Sequence, residues 1–242
     1  MKKITLLLLT FISCSIFAQE QGYDSKKLFE LVKDISKTKI IYDRVSPVAD
    51  LTNGSDKTLN SVLYKQAFYE IQRADYLNRL PNLELLEIET EKGFSNNIIP
   101  ISILISEFEK LKPEVKDQNL LQLNSNNQFV PTSSNFNYFN EYKIGLASPL
   151  IKEIKGTIVT FKLDNQLIFN TTQNSIQKIE ANFNNQGFQL LQKNKNITID
   201  FGSIGEKEIE FKISLCLPGV DSRIFCISNR ALLTSTAMKL SP

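Results

Sequence analysis

The sequence predicts an α+β protein: an N-terminal helical region followed by an antiparallel β-sandwich. Three observations carry this expectation. Residues 157–215 alternate apolar and polar side chains in short runs separated by Asn and Gly. Apolar residues before residue 92 recur at helical spacing instead. The change of texture falls near Gly93.

The alternating runs are specific. Val159, Phe161 and Leu163 form one; Ile179, Ala181 and Phe183 a second; Ile197, Ile199 and Phe201 a third. The longest is Ile209, Phe211, Ile213 and Leu215, with Glu208, Glu210, Lys212 and Ser214 between them. A period of two sends alternate side chains to opposite faces of a sheet. One apolar face and one charged face describe an antiparallel sheet that is buried on one side. Such sheets usually pair face to face.

Before these strands, Asp24 or Ser25 is placed to cap a helix whose apolar stripe is Leu28, Leu31, Val32 and Ile35. Ile40, Ile41 and Tyr42 suggest a short strand. A second helix is expected over residues 61–77, with Val62, Ala67, Ile71 and Ala74 as its stripe and Leu63, Tyr64 and Phe68 widening it. Residues 82–92 fit either a short helix through Leu83, Leu86 and Thr90 or a strand through Leu86, Ile88 and Thr90. Residues 98–105 are β-rich, and Pro100 places them at an edge or a strand start. Residues 124–140 are rich in Asn and Ser and read as a long loop, followed by a strand over 142–147. The division expected is a leader at 1–18, a helix-containing region at 19–92, a β-rich region at 93–217 and a tail at 218–242.

The leader reads as an export signal. Lys2 and Lys3 precede an apolar stretch that ends in Ala18 before Gln19, so cleavage after Ala18 is expected. It is shorter than the roughly 20 apolar residues that span a bilayer. A lipoprotein leader cleaved before Cys14 is the second reading. No transmembrane segment is expected after its removal.

The chain has 28 Lys and Arg against 26 Asp and Glu; without Lys2 and Lys3 the counts are equal and the net charge is zero. A neutral chain has no global field to draw it onto nucleic acid. Histidine is absent, which removes the commonest general base and metal ligand. No motif asks for a cofactor or a metal. Ser36-Lys37-Thr38-Lys39 fits S-x-x-K, but the S-D-N and K-T-G partners of that motif are missing. Residues 50–56 gather acids and amides around Gly54, yet the position of a calcium-loop Glu holds Asn60. The dense Glu84, Glu87, Glu89 and Glu91 read as a solvated face. Cys216 and Cys226 are the cysteines left in the mature chain, at a spacing that suits a hairpin disulfide in an oxidising compartment. Two buried thiols are the alternative.

Phe136, Tyr138, Phe139 and Tyr142 cluster in and beside the Asn-rich loop. Flat apolar faces among amides suit sugar or peptide binding, with Tyr138 and Phe139 as anchors. The competing expectation is that these rings plug the end of the sandwich.

Phe201-Gly202-Ser203-Ile204-Gly205, followed by Ile209, Phe211 and Ile213, resembles the closing hairpin of polycystic-kidney-disease (PKD) domains. That pattern is an aromatic, three residues, a Gly, then alternating apolar residues. The family's earlier Trp/Phe-Asp-Phe-Gly-Asp-Gly segment would fall at residues 181–187. Phe183 and Gly187 match it in kind, and the Gly-Asp-Gly tip is absent. Lys207 stands where the family has an aromatic. The resemblance covers residues 157–215 and implies an Ig-like, PKD-like sandwich in an extracellular, non-catalytic protein. It implies a binding, adhesion or spacer role at the cell envelope, with a glycan or a protein as partner. The accessory front region of a larger exported hydrolase is the alternative expectation.

Overall fold

The computed structural model describes residues 58–75, 77–126, 129–133, 136–216 and 224–236. The leader, the helix expected around Leu28 and Ile35, the S-x-x-K motif and the acidic loop at 50–56 lie outside the described residues.

The described chain opens with α1 (Ser61–Ala74). Asn60 caps it: its Oδ1 accepts from the Val62 and Leu63 amides at 3.0 and 2.9 Å. The buried stripe is Tyr64, Ala67, Phe68 and Ile71, which recur at helical spacing. Val62, expected in that stripe, is half exposed. The larger aromatic residues take the core-facing sector because they remove more apolar area from water.

The segment open to either reading is a helix, α2 (Glu84–Ser95), with Leu86 fully buried. Its last turn comes so close to the next strand that a Cβ on Gly93 would lie 2.5 Å from the Ile98 carbonyl oxygen and 2.5 Å from Pro100 Cδ. Only glycine fits there.

Next come β1 (Ile98–Leu111), the short α3 (Pro113–Asp117), β2 (Leu121–Leu123) and β3 (Phe129–Pro131). They are followed by β4 (Phe139–Pro149), β5 (Glu153–Lys155) and β6 (Ile158–Asn170). The last strands are β7 (Ser175–Phe183), β8 (Phe188–Leu190), β9 (Asn196–Asp200), β10 (Gly205–Cys216) and β11 (Ile224–Thr236). One sheet has the order β4-β1-β6-β9 and a second the order β5-β11-β10-β7-β8; β2 and β3 pair on their own. The protein is thus β-rich with a few helices.

The pairing departs from an all-antiparallel arrangement. β1 runs parallel to β6, and β11 runs parallel to β5. Pro100 lies near the start of β1, as one reading required, but β1 is a central strand rather than an edge.

The two sheets share one core. Ile101 and Ile103 of β1, Phe161 of β6, Phe183 of β7 and Phe211 of β10 meet in it. The rings of Phe161 and Phe183 lie 4.9 Å apart between centroids, one from each sheet. The alternating residues read from the sequence are those that face this core.

The first sheet also buries its other face. Leu104, Ile144, Leu146, Leu167 and Phe169 pack with α1 and α2 in a second cluster. Ser102, Ser106 and Ser148 on that face are fully buried, and Ser102 meets the Tyr64 hydroxyl. β6 serves both cores because it changes face midway. Ile101 pairs with Leu163 but Ile103 pairs with Ile168, so three extra residues, Asp164 to Gln166, are spliced into β6. An odd insertion reverses the alternation. Val159, Phe161 and Leu163 face the second sheet, whereas Leu167 and Phe169 face the helices.

The segment expected as a hairpin around Gly205 is a link between sheets. β9 pairs with β6 in the first sheet, and β10 pairs with β7 and β11 in the second. Phe201 is buried and Gly205 adopts φ +114 at the start of β10. Alternation shows which face a strand buries but not its partner, so the pattern could not separate a hairpin from a crossing.

Candidate functional site

Tyr138 and Phe139, expected as the anchors of a binding loop, lie in the interior. They are 7 % and 5 % exposed and belong to the helix-side core. The Tyr138 hydroxyl donates to the Ser133 carbonyl at 2.7 Å and accepts from the Ser133 amide at 3.1 Å. Phe136 is partly buried, edge-on to Tyr138 at 5.2 Å, with Lys112 Nζ 5.5 Å from its ring centroid. Tyr142 stands opposite Phe108 in the ladder between β4 and β1, and its side chain lies outside the described ones. The helical layer supplies a second apolar surface, and rings placed beside β4 go into it.

Cys216 stands opposite Ile224, and Cys226 stands opposite Ser214. The two cysteines therefore share a face of the ladder as diagonal neighbours, two positions out of direct register.

The described surface has a cleft of about 580 Å³ between α1, α2 and the turn after β4. Buried Ser61, Leu150 and Ile151 form its deeper wall. Phe94 stands on its rim and is 70 % exposed. Lys65, Glu91 and Lys152 supply charges of both signs. Lys65 Nζ donates to Glu87 Oε2 at 3.0 Å, which leaves Lys152 as the lining cation most open to solvent. Thr90 and Ser95 donate their hydroxyls to the Leu86 and Glu91 carbonyls, so they face the cleft as acceptors. This combination suits a polar ligand with one apolar face: the ring stacks, and Lys152, Glu91 and the hydroxyl oxygens orient.

Gly93 adjoins the rim residues Phe94 and Ser95. Its missing side chain lets the end of α2 sit against the start of β1. Sequence reasoning missed this site because its walls come from three separated segments. The available signal was Gly93-Phe94, a glycine and a large aromatic at the end of an acidic helix.

Among the described residues, no three Asp, Glu or Cys side chains converge as a metal would require. No described helix is long and apolar enough to cross a membrane.

In comparison with known proteins, no family model, curated protein or solved structure matches the chain.

Proposed function

We propose that this chain is an exported binding or adhesion module of the cell envelope, and that the cleft bearing Phe94 is where it recognises its partner. The observation that carries the reading is Phe94 itself. It stands 70 % exposed on the cleft rim beside lysines, a carboxylate and hydroxyl acceptors, which offers a partner a flat apolar face next to hydrogen-bonding groups. Export rests on the apolar leader ending at Ala18. The partner chemistry that fits is a glycan or an extended peptide, since both pair a flat apolar face with many hydrogen-bonding groups.

We read the two sheets as an Ig-like, PKD-like sandwich. What supports this is that Phe201, Ile209, Phe211 and Ile213, the residues of the resemblance, all lie in the shared core.

The test is a glycan and peptidoglycan array probed with wild type beside Phe94→Ala/Lys152→Ala. The double variant should lose on the order of 2 kcal/mol of binding while keeping the wild-type melting curve. Equal binding by both proteins would remove the cleft from consideration. Turnover of a polysaccharide or peptide by the purified chain would overturn the non-enzymatic reading.

A further inference from the structure

The second sheet ends in β8, which among the described strands has a neighbour on one side only. An open edge is a template for pairing with another chain, and native edges are guarded by charges, prolines or bulges. The other edges of the two large sheets are guarded in this way. β4 carries Glu141, Lys143 and Pro149, β5 carries Glu153 and Lys155, and β9 ends in Asp200. β8 is Phe188-Gln189-Leu190, with neither a charge nor a proline. Phe188 and Leu190 are 43 % and 52 % exposed.

The ladder shows which backbone groups of β8 are open. The Leu191 amide donates to the Ile179 carbonyl at 2.9 Å, and Leu190, Gln189 and Phe188 stand opposite Glu180, Ala181 and Asn182. Hydrogen-bonded and non-hydrogen-bonded pairs alternate along an antiparallel ladder. Counting back from Leu191, Gln189 turns its N–H and C=O toward β7, whereas Phe188 and Leu190 turn theirs outward. The outward backbone groups and the two exposed apolar side chains thus belong to the same residues. Lys212 Nζ lies 5.8 Å from the Phe188 ring centroid, across the sheet from the open edge.

We propose that β8 is a self-pairing edge: two copies of this chain add β8 to β8, antiparallel, about a twofold axis at Gln189. In that register Phe188 stands opposite Leu190 of the second copy, and each such pair exchanges both of its backbone hydrogen bonds. Their side chains meet as aromatic–aliphatic cross-strand pairs, which are among the contacts that hold sheets together. Beyond the strand, Gly187 stands opposite Leu191 and Gln186 opposite Gln192, so no like charges meet. A twofold contact must be self-complementary, and this edge meets that condition, which favours a second copy over an unrelated strand. So short a strand makes a small contact, and the association is weak and concentration-dependent. It uses no residue of the cleft, so this pairing and the binding reading can fail separately.

Sedimentation velocity of the full mature chain over a wide concentration range tests the pairing. The expected result is a shift toward dimer as concentration rises. Leu190→Lys gives β8 the guard that the other edges carry and should remove that shift while keeping the wild-type melting curve. A cross-link tests the register. Gln189→Cys places two thiols on the axis, in a non-hydrogen-bonded pair with Cα atoms about 4.5 Å apart, within reach of a disulfide. Mild oxidation should cross-link Gln189→Cys at least about tenfold faster than Gln192→Cys, which stands off the axis, with wild type as the background for Cys216 and Cys226. A chain that stays monomeric at every concentration would overturn the proposal and leave the edge to a strand of another protein. A dimer that Leu190→Lys does not weaken, or equal cross-linking at the two positions, would overturn it as well.

Discussion

Tyr64 and Ser102 meet hydroxyl to hydroxyl at 2.6 Å in the buried layer between α1 and β1. Ser102 Oγ also donates to the Leu167 carbonyl at 3.1 Å, so in this chain of bonds Tyr64 is the donor to Ser102. Helix, central strand and neighbouring strand are pinned at one point. Tyr64→Phe keeps the ring and loses the bond, which should cost about 1 kcal/mol. Tyr64→Ala should cost about 3–5 kcal/mol, because it leaves a cavity. Burial holds the Tyr64 hydroxyl well above the ordinary tyrosine range, and the smaller effect of its bond to Ser102 acts the other way. A raised folded-state value contributes stability below about pH 10, the unfolded value, and loses it as pH rises further. Denaturant melts across alkaline pH should therefore show a decline above about pH 10 that is shallower in Tyr64→Phe.

Gly93→Ala should destabilise the protein by about 1–3 kcal/mol, since the added methyl meets backbone and a proline ring rather than a flexible chain end. Gly187→Ala tests the other constraint on glycine. A Cβ there meets open space, but φ is +94, so the expected cost is backbone strain of about 1 kcal/mol. Paired thermal melts separate the two. An unchanged melting temperature in Gly93→Ala would mean that the end of α2 yields freely.

The faces of β10 are checked by a matched pair. Phe211 is fully buried and Glu210 is half-buried on the opposite face. Phe211→Ala should cost about 3–5 kcal/mol, and Glu210→Ala about 0.5 kcal/mol or less. Comparable small losses would show that the face was assigned wrongly.

Asp164, in the insertion that turns β6 from one core to the other, should respond to acid. The Lys162 ammonium that donates to it at 2.9 Å lowers its pKa, with the Gln166 and Asn165 amides adding to the effect and burial opposing it. A lowered folded-state value contributes stability above about pH 4, the unfolded value, and loses it as pH falls through the folded one. Asp164→Asn should cost about 1 kcal/mol or less at neutral pH, and the difference from wild type should close in acid.

The cysteines are settled by thiol titration of the unfolded, unreduced mature chain. Export leads to the expectation of a Cys216–Cys226 bond and no free sulfhydryl, worth roughly 3 kcal/mol at best for so short a loop. Two free thiols would show that the diagonal placement was not drawn together.

Much of the second sheet was legible in the sequence because alternation is local. Ile179, Ala181, Phe183, Ile209, Phe211 and Ile213 declare an apolar face within each strand, and that face is the buried one. The helical stripe through Ala67 and Ile71 is legible for the same reason, since the contacts that define a turn of helix span only a few residues. The tertiary structure alone decided what those faces meet. β1 and β6 lie parallel through a crossover that no short-range pattern encodes, and β9 and β10 belong to different sheets although they are neighbours in the chain. The insertion at Asp164 turned Leu167 and Phe169 to the helices. Tyr138 and Phe139 left the surface because α1 and α2 offered them a second core. Partner choice depends on the sum of many distant contacts, each worth little alone, so it appears only when the whole chain has packed.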